Sequence, residues 1–282
     1  MPIDDLRVFA GLACCALVAL GLVFTLHKRW RRNQRRQSLA ATPLTLRQRV
    51  ILEKPLPWTR RLPDDFRRKL EAAMQVFLSE KNFEACGDLP EVTEEMRLVI
   101  AAQACLLIAQ RPDRTYDQLQ TILVYPTAFR APVSEPIGPD LEYIDEEERI
   151  GESWGQGSVV LAWDSVLRGG SNHEDGLNVV IHEFAHQLDQ ANGSADGAPI
   201  LECATDYTAW AKVFRAAYGR HVENTDHDRE TVIDEYGAEE PAEFFAVATE
   251  TFFERPQKLF EEYPEMFREL EKFYGVDPRT WR

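Results

Sequence analysis

The chain has 282 residues and carries 32 Lys and Arg against 47 Asp and Glu, a formal net charge of -15. Residues 1–36 hold seven of the basic residues and two of the acidic ones, which leaves 25 against 45 in the remainder, a balance that argues against direct nucleic-acid binding. The five cysteines include no CxxC pair, so neither a disulfide framework nor a redox or structural-zinc motif is present, and a reducing compartment fits.

From the N-terminus, Val8 to Leu26 is a run without a charged residue. At about 1.5 Å per residue it would span roughly 28 Å, enough for a bilayer core. Asp4, Asp5 and Arg7 precede it, which does not suit a cleaved signal peptide. Lys28, Arg29, Arg31, Arg32, Arg35 and Arg36 follow, with Trp30 among them. The positive-inside rule then predicts a single-pass helix in a bacterial inner membrane, contacting lipid through residues 8–26, with the rest of the chain in the cytoplasm. The expected division is a transmembrane helix and basic stem over 1–36, a linker over 37–57 and one domain over 58–282.

Within the domain, Phe66, Leu70, Met74 and Phe77 give helical spacing to Pro63–Glu80, with Asp64 and Asp65 in its first turn. A second helix, capped by Thr93, is expected over Thr93–Gln110, and a short strand over Thr121–Tyr125 ends at Pro126. The Pro and Gly cluster of Ala131–Pro139 and the Gly169-Gly170 pair read as loops. Val159 and Leu161 alternate with Val160 and Ala162 in a β-prone run. Glu202–Tyr218 is a helix with Trp210, Phe214 and Ala217 inward, and Phe260 and Phe267 anchor helical structure near the C-terminus. Cys105 lies in a helical apolar run, and Cys203 reads as a small buried hydrophobe. The fold class is α+β, mainly helical with a small sheet.

Chemistry enters at His182-Glu183-Phe184-Ala185-His186. Residues four apart share a helix face, so both imidazoles can reach one metal ion, and Glu183 is placed to take a proton from water beside it. Leu177, Val180, Ile181, Phe184 and Leu188 make the flanks apolar and the helix buried. Each unsatisfied polar group there would cost about 1 to 3 kcal/mol, which a metal ion relieves. A catalytic zinc usually has three protein ligands. The metzincin extension fails, because Asp189 and Asn192 stand where Gly and His are needed. A glutamate from the helix that Pro241 begins is the other solution; Glu239, Glu240, Glu243 and Glu250 are all candidates by spacing, and each could equally be an acid favoured by a helix N-terminus.

The string Asn178 to Asp189, with Gly193, Asp196-Gly197 and Pro199, resembles the zinc peptidases related to Mlc titration factor A. Leu62-Pro63, Glu80–Phe83, Ile100–Leu107, Leu123–Pro126, Glu152–Trp154, Gly157–Leu161, Trp163 and Tyr236–Val247 are similar too, so the likeness covers about residue 55 to about residue 275. The resemblance implies a zincin-like domain of the gluzincin kind holding one Zn2+ per chain, with Glu243 as third ligand. It further implies that Tyr236 stabilises the oxyanion, and that the strand at Gly157–Trp163 lies over the metal helix, where an exposed edge could pair with a peptide. The function expected is a membrane-tethered zinc metallopeptidase acting on peptide or protein substrates, aminopeptidase-like on short peptides, with an Mlc-like transcriptional repressor as partner. The alternative is a binding protein that sequesters such a regulator with little or no proteolysis.

Overall fold

The computed structural model describes the backbone of residues 3–281 apart from 113, 128, 139–140, 150 and 155–156, and the side chains of 17–281 apart from 113 and 128–156. The chain divides into two units, Met1–Thr42 and Pro43–Arg282.

The first unit is the helix α1 (Ile3–Ala40). No helix among the described residues is long and apolar enough to cross a membrane, so the expected single-pass anchor through residues 8–26, with the domain on the cytoplasmic side of an inner membrane, is corrected. Among the described side chains of α1, those from Leu17 to Leu26 are uncharged, and His27, Lys28 and Arg29 follow at once. Cys14, Cys15 and the other side chains of residues 8–16 lie outside the described residues.

The second unit begins with α2 (Leu46–Glu53), which Thr45 and Gln48 open through reciprocal side-chain to backbone hydrogen bonds. In α3 (Asp64–Glu80) the predicted stripe of Phe66, Leu70, Met74 and Phe77 is buried. β1 (Asn82–Ala85) follows, then α4 (Glu94–Leu106), whose N-terminus the Thr93 hydroxyl caps by accepting from the Met96 N–H. β2 (Thr121–Tyr125) has the predicted bounds. The run read as a loop at 131–138 is instead part of β3 (Phe129–Gly138), paired antiparallel with β4 (Leu141–Arg149). In a two-stranded ribbon each strand has an open side, so the missing N–H groups of Pro132 and Pro136 break no central ladder.

β5 (Gly151–Trp154) and β6 (Ser158–Ala162) complete a sheet ordered β1-β2-β6-β5, in which β1, β2 and β6 are parallel and β5 runs antiparallel to β6. β6 therefore pairs on both sides, Val159 standing opposite Ile122 and Ser153. It has no open edge for a peptide, so it is the core strand that its sequence favours and not the exposed edge the resemblance suggested; the sheet's edges are β1 and β5.

The chain turns from β6 directly into α5 (Trp163–Ser171), which contains Gly169 and Gly170. They are packing positions, not a turn: a Cβ on Gly170 would lie 2.5 Å from Leu56 Cδ2, and one on Gly169 2.9 Å from Asn178 Cα. Then come α6 (Val179–Asp189), α7 (Ala204–Asp226), α8 (Pro241–Glu254), α9 (Pro256–Glu262) and α10 (Pro264–Tyr274). α7 starts and ends later than expected, and Cys203 before it is exposed whereas Cys105 is buried.

The core places α6. Val180, Ile181, Phe184 and Ala185 have no exposed surface, whereas Leu177 lies before the helix with half its surface in solvent. The Phe184 ring sits 4.8 Å from that of Tyr116 and 5.6 Å from that of Phe77, and burial of one such ring stabilises by roughly 2 kcal/mol. α7 and α8 meet through Trp210, stacked on Phe214 at 4.0 Å and 5.8 Å from Phe245.

Gly197 joins three helices. Its N–H donates to Asp189 Oδ2 at the end of α6, and its carbonyl accepts from Trp210 Nε1 of α7. At φ +74 a Cβ here would lie 2.4 Å from the Pro241 carbonyl that opens α8, whereas Gly193, at φ +93, faces open space. Gly197→Ala is therefore expected to destabilise by about 3 kcal/mol and Gly193→Ala by only about 1 kcal/mol, read as the difference between their urea midpoints.

Candidate metal centre

α6 begins where Asn178 caps it, the side-chain oxygen accepting from the Ile181 N–H at 3.1 Å. One turn on, His182 and His186 share a face, with their Nε2 atoms 3.2 Å apart and their rings edge to face at 4.8 Å. α8 supplies the third member. Pro241 opens this helix, its remaining side chains are largely apolar and buried, and Glu243 projects from the first turn with its carboxylate oxygens 3.0 Å from His182 Nε2 and 3.3 Å from His186 Nε2. The ligand atoms of these three residues lie within 4.8 Å of one another.

Glu183 stands beside the first histidine, 4% exposed, with Oε2 buried and lacking a hydrogen-bond partner. Burial pushes its carboxyl up to about 7, the neighbouring histidines opposing the shift. Burial also disfavours charge on Glu243, but hydrogen bonds with His182 and His186 outweigh it and hold that carboxyl down at about 2. For His182 burial lowers the pKa, and hydrogen bonds to Glu243 and Glu250 more than reverse it, leaving the ring well above its ordinary value. Three carboxylates thus converge on a small volume that favours positive charge. Two imidazole nitrogens and a carboxylate facing one point are a donor set suited to zinc and similar divalent ions, and the unpartnered Glu183 oxygen beside them is what a site for ion and water leaves.

Tyr236 reaches the same place from a 3-10 turn, Glu235–Ala238, with its ring centroid 5.9 Å from that of His182 and nearly half its surface exposed. α7 braces the turn from behind: His221 Nε2 lies 3.0 Å from the Asp234 carbonyl, and the Tyr218 hydroxyl donates to the Ala238 carbonyl at 3.1 Å. Of the glutamates that spacing left open, Glu239 and Glu240 are exposed, and Glu250 lies not among the ligand atoms but behind His182, with Oε1 2.8 Å from Nδ1.

Neither this place for Glu250 nor any part for Glu254 was singled out from the sequence, although a signal was there. Glu243, Glu250 and Glu254 are spaced seven and four apart in an otherwise apolar helix, which aligns them on one face. All face α6 and its entry. Glu250 Oε2 accepts from the Asn178 N–H, while Glu254 accepts from the Gly176 N–H at 3.1 Å and from Asn178 Nδ2 at 3.0 Å. Gln103 of α4 accepts a second bond from Asn178 Nδ2 at 2.9 Å.

A pair of histidines four apart on a buried helix, joined by a glutamate of a second helix, defines a protein that can hold a divalent metal. Residues 28–275 match the family described as glucose-regulated metallo-peptidase M90, and the chain belongs to that family. It is 42% identical to an uncharacterised protein of Synechocystis over 88% of this chain and 89% of the relative. It is 32% identical to Mlc titration factor A of Pectobacterium atrosepticum over 80% and 87%, and 30% identical to that of Cronobacter sakazakii over 79% and 87%.

Asn178→Ala should cost about 3 kcal/mol, since it removes a helix cap and takes one donor each from the buried side-chain oxygens of Glu254 and Gln103. Chemical denaturation of the metal-free chain measures it.

Proposed function

We propose that the chain is a zinc-dependent peptidase of the gluzincin kind, with a zincin-like catalytic core in which His182, His186 and Glu243 hold the ion. When bound, zinc polarises a peptide carbonyl and makes water a competent nucleophile near neutral pH. The observation that carries the reading is the Glu183 carboxylate, buried and with Oε2 unpartnered beside the three ligand atoms. A raised carboxyl of this kind suits proton traffic: Oε2 takes the proton of the attacking water and returns it to the leaving amine. The Tyr236 phenol, beside His182, donates to the oxyanion as charge develops there. We infer that an extended substrate adds as a further strand to the backbone of β5, which lies at the sheet edge next to β6, and that this orders the peptide before bond cleavage. Short peptides cleaved from the amino end are the substrate class the resemblance favours.

A second reading rests on the relatives' name. Proteins called Mlc titration factor A are similar over most of this chain, and we infer that a repressor of the Mlc kind is a candidate partner. The two readings separate at Glu183, because a binding surface has no use for a general base.

Glu183→Gln should retain one zinc per chain and lose peptide-amide hydrolysis by about three orders of magnitude or more, as removal of an acid-base group does. Full activity in that variant would sink the mechanism. Glu243→Ala should lose stoichiometric zinc, whereas Glu239→Ala and Glu240→Ala should keep it, as read by metal analysis after dialysis. Tyr236→Phe should lower kcat about a hundredfold with zinc content unchanged, the effect of deleting one oxyanion donor. Chelation should abolish hydrolysis and added zinc restore it, while a repressor complex that survives in Glu183→Gln would support the second reading.

A further inference from the structure

His182 has two ring nitrogens, and the fold treats them differently. Nε2 faces Glu243 Oε2 at 3.0 Å and His186 Nε2 at 3.2 Å; Nδ1 faces Glu250 Oε1 at 2.8 Å. We propose that Glu250 is the positioning residue of this centre, its carboxylate accepting the Nδ1–H of His182 and the backbone N–H of Asn178 together, so that Nε2 is held bare and aimed at the metal. The inference rests on the zinc reading above.

Donor and acceptor counts fix the arrangement. A carboxylate only accepts, and Glu250 is buried in the α6–α8 interface with both oxygens committed. Once an ion takes the place of the Nε2–H that Glu243 otherwise accepts, the neutral imidazole beside Glu250 must carry its proton on Nδ1, which leaves the Nε2 lone pair for the ion. The second oxygen ties this choice to the backbone where α6 begins, so the ring is fixed in rotation as well as in tautomer. Glu250 is itself held at the right height, because it lies seven residues, almost two full turns, after Glu243 on one face of α8. The ligand and its positioner are parts of one rigid helix. Groups behind a metal-bound histidine commonly act this way.

Glutamine cannot replace it. If the amide oxygen of the substituted side chain accepts from Nδ1–H, its NH2 is driven against the Asn178 N–H. If that oxygen accepts from Asn178, the NH2 donates to Nδ1, and the ring proton moves to Nε2, where it blocks the metal. Glu254 supplies the control: its carboxylate is engaged by Gly176, Asn178 and His173, whereas the Nδ1 of His182 is engaged by Glu250.

The test is zinc affinity of the full chain by competition with a chromophoric chelator, together with proton and nitrogen spectra of the zinc-loaded chain carrying 15N-histidine. Glu250→Gln should bind zinc about ten- to a hundredfold more weakly, whereas Glu254→Gln should lower Tm and leave affinity within about twofold. In the wild type the His182 Nδ1–H should give a slowly exchanging downfield proton, with Nε2 on the metal. Equal affinity in wild type and Glu250→Gln overturns the proposal, as does an equal loss in Glu254→Gln, which would make the role structural. Zinc on Nδ1 in the wild type overturns it without any variant. Wild type that binds zinc and cleaves no peptide overturns the peptidase reading alone; wild type that binds no zinc overturns both.

Discussion

The architecture depends on finding donors for three carboxylates buried on one face of α8. Glu243, Glu250 and Glu254 sit in a helix whose other side chains, Thr249 and Thr251 apart, are apolar and almost wholly buried, and burial, with a smaller push from neighbouring carboxylates, raises the carboxyls of Glu250 and Glu254. An unpaired buried charge is among the most destabilising features a core can hold. The donors come from α6 and the segment entering it: Gly176 N–H, Asn178 N–H and Nδ2, and the His182 ring. Hydrophobic packing of Phe184 on Tyr116 and Phe77 brings α6 into the core without fixing its rotation to a fraction of a turn. The acid stripe does fix it. The same contacts that satisfy Glu250 and Glu254 set the histidine pair opposite Glu243.

That division explains what could be read from the sequence. The histidine pair and Glu183 are legible because their relation is local, four residues on one helix. Glu243 is not legible by spacing, since Glu239, Glu240 and Glu250 satisfy the same rule; only the likeness to a family of peptidases separates it. Glu250 looked like a generic acid because its meaning lies in a contact with His182, 68 positions away. The periodicity was still visible, as acids seven and four apart in an apolar helix have no solvent-facing explanation.

Other departures share that cause. Gly169 and Gly170 look like a turn until Leu56 and Asn178 occupy the space a Cβ would need, and Pro132 and Pro136 argue against a strand only if both edges of it must pair. β6 reads from its residues as a core strand, and its pairing with β2 and β5 on both sides bears that out. In α1 a count of uncharged residues suggested a bilayer span that the described helix does not provide. Length and hydropathy along a sequence are weaker constraints than the geometry they are taken to represent.

The centre is asymmetric in its supports, and this bears on how it could work. On the α6–α8 side the polar atoms around His182 are tied into buried hydrogen bonds that reach Gln103 on α4, so the ligand geometry is set by the core itself. Tyr236 belongs to a different regime. It lies on a short turn, half exposed, and that turn is braced from α7 through His221 and Tyr218. Gly237 next to it is buried, and a Cβ there would meet Ile233 and His221 at 3.3 and 3.4 Å, so the turn can pack against α7 only while that residue stays small. A rigid ligand set beside a phenol on a short surface turn divides the work. In the proposed mechanism the core would hold the ion, and the turn would offer a donor where charge develops.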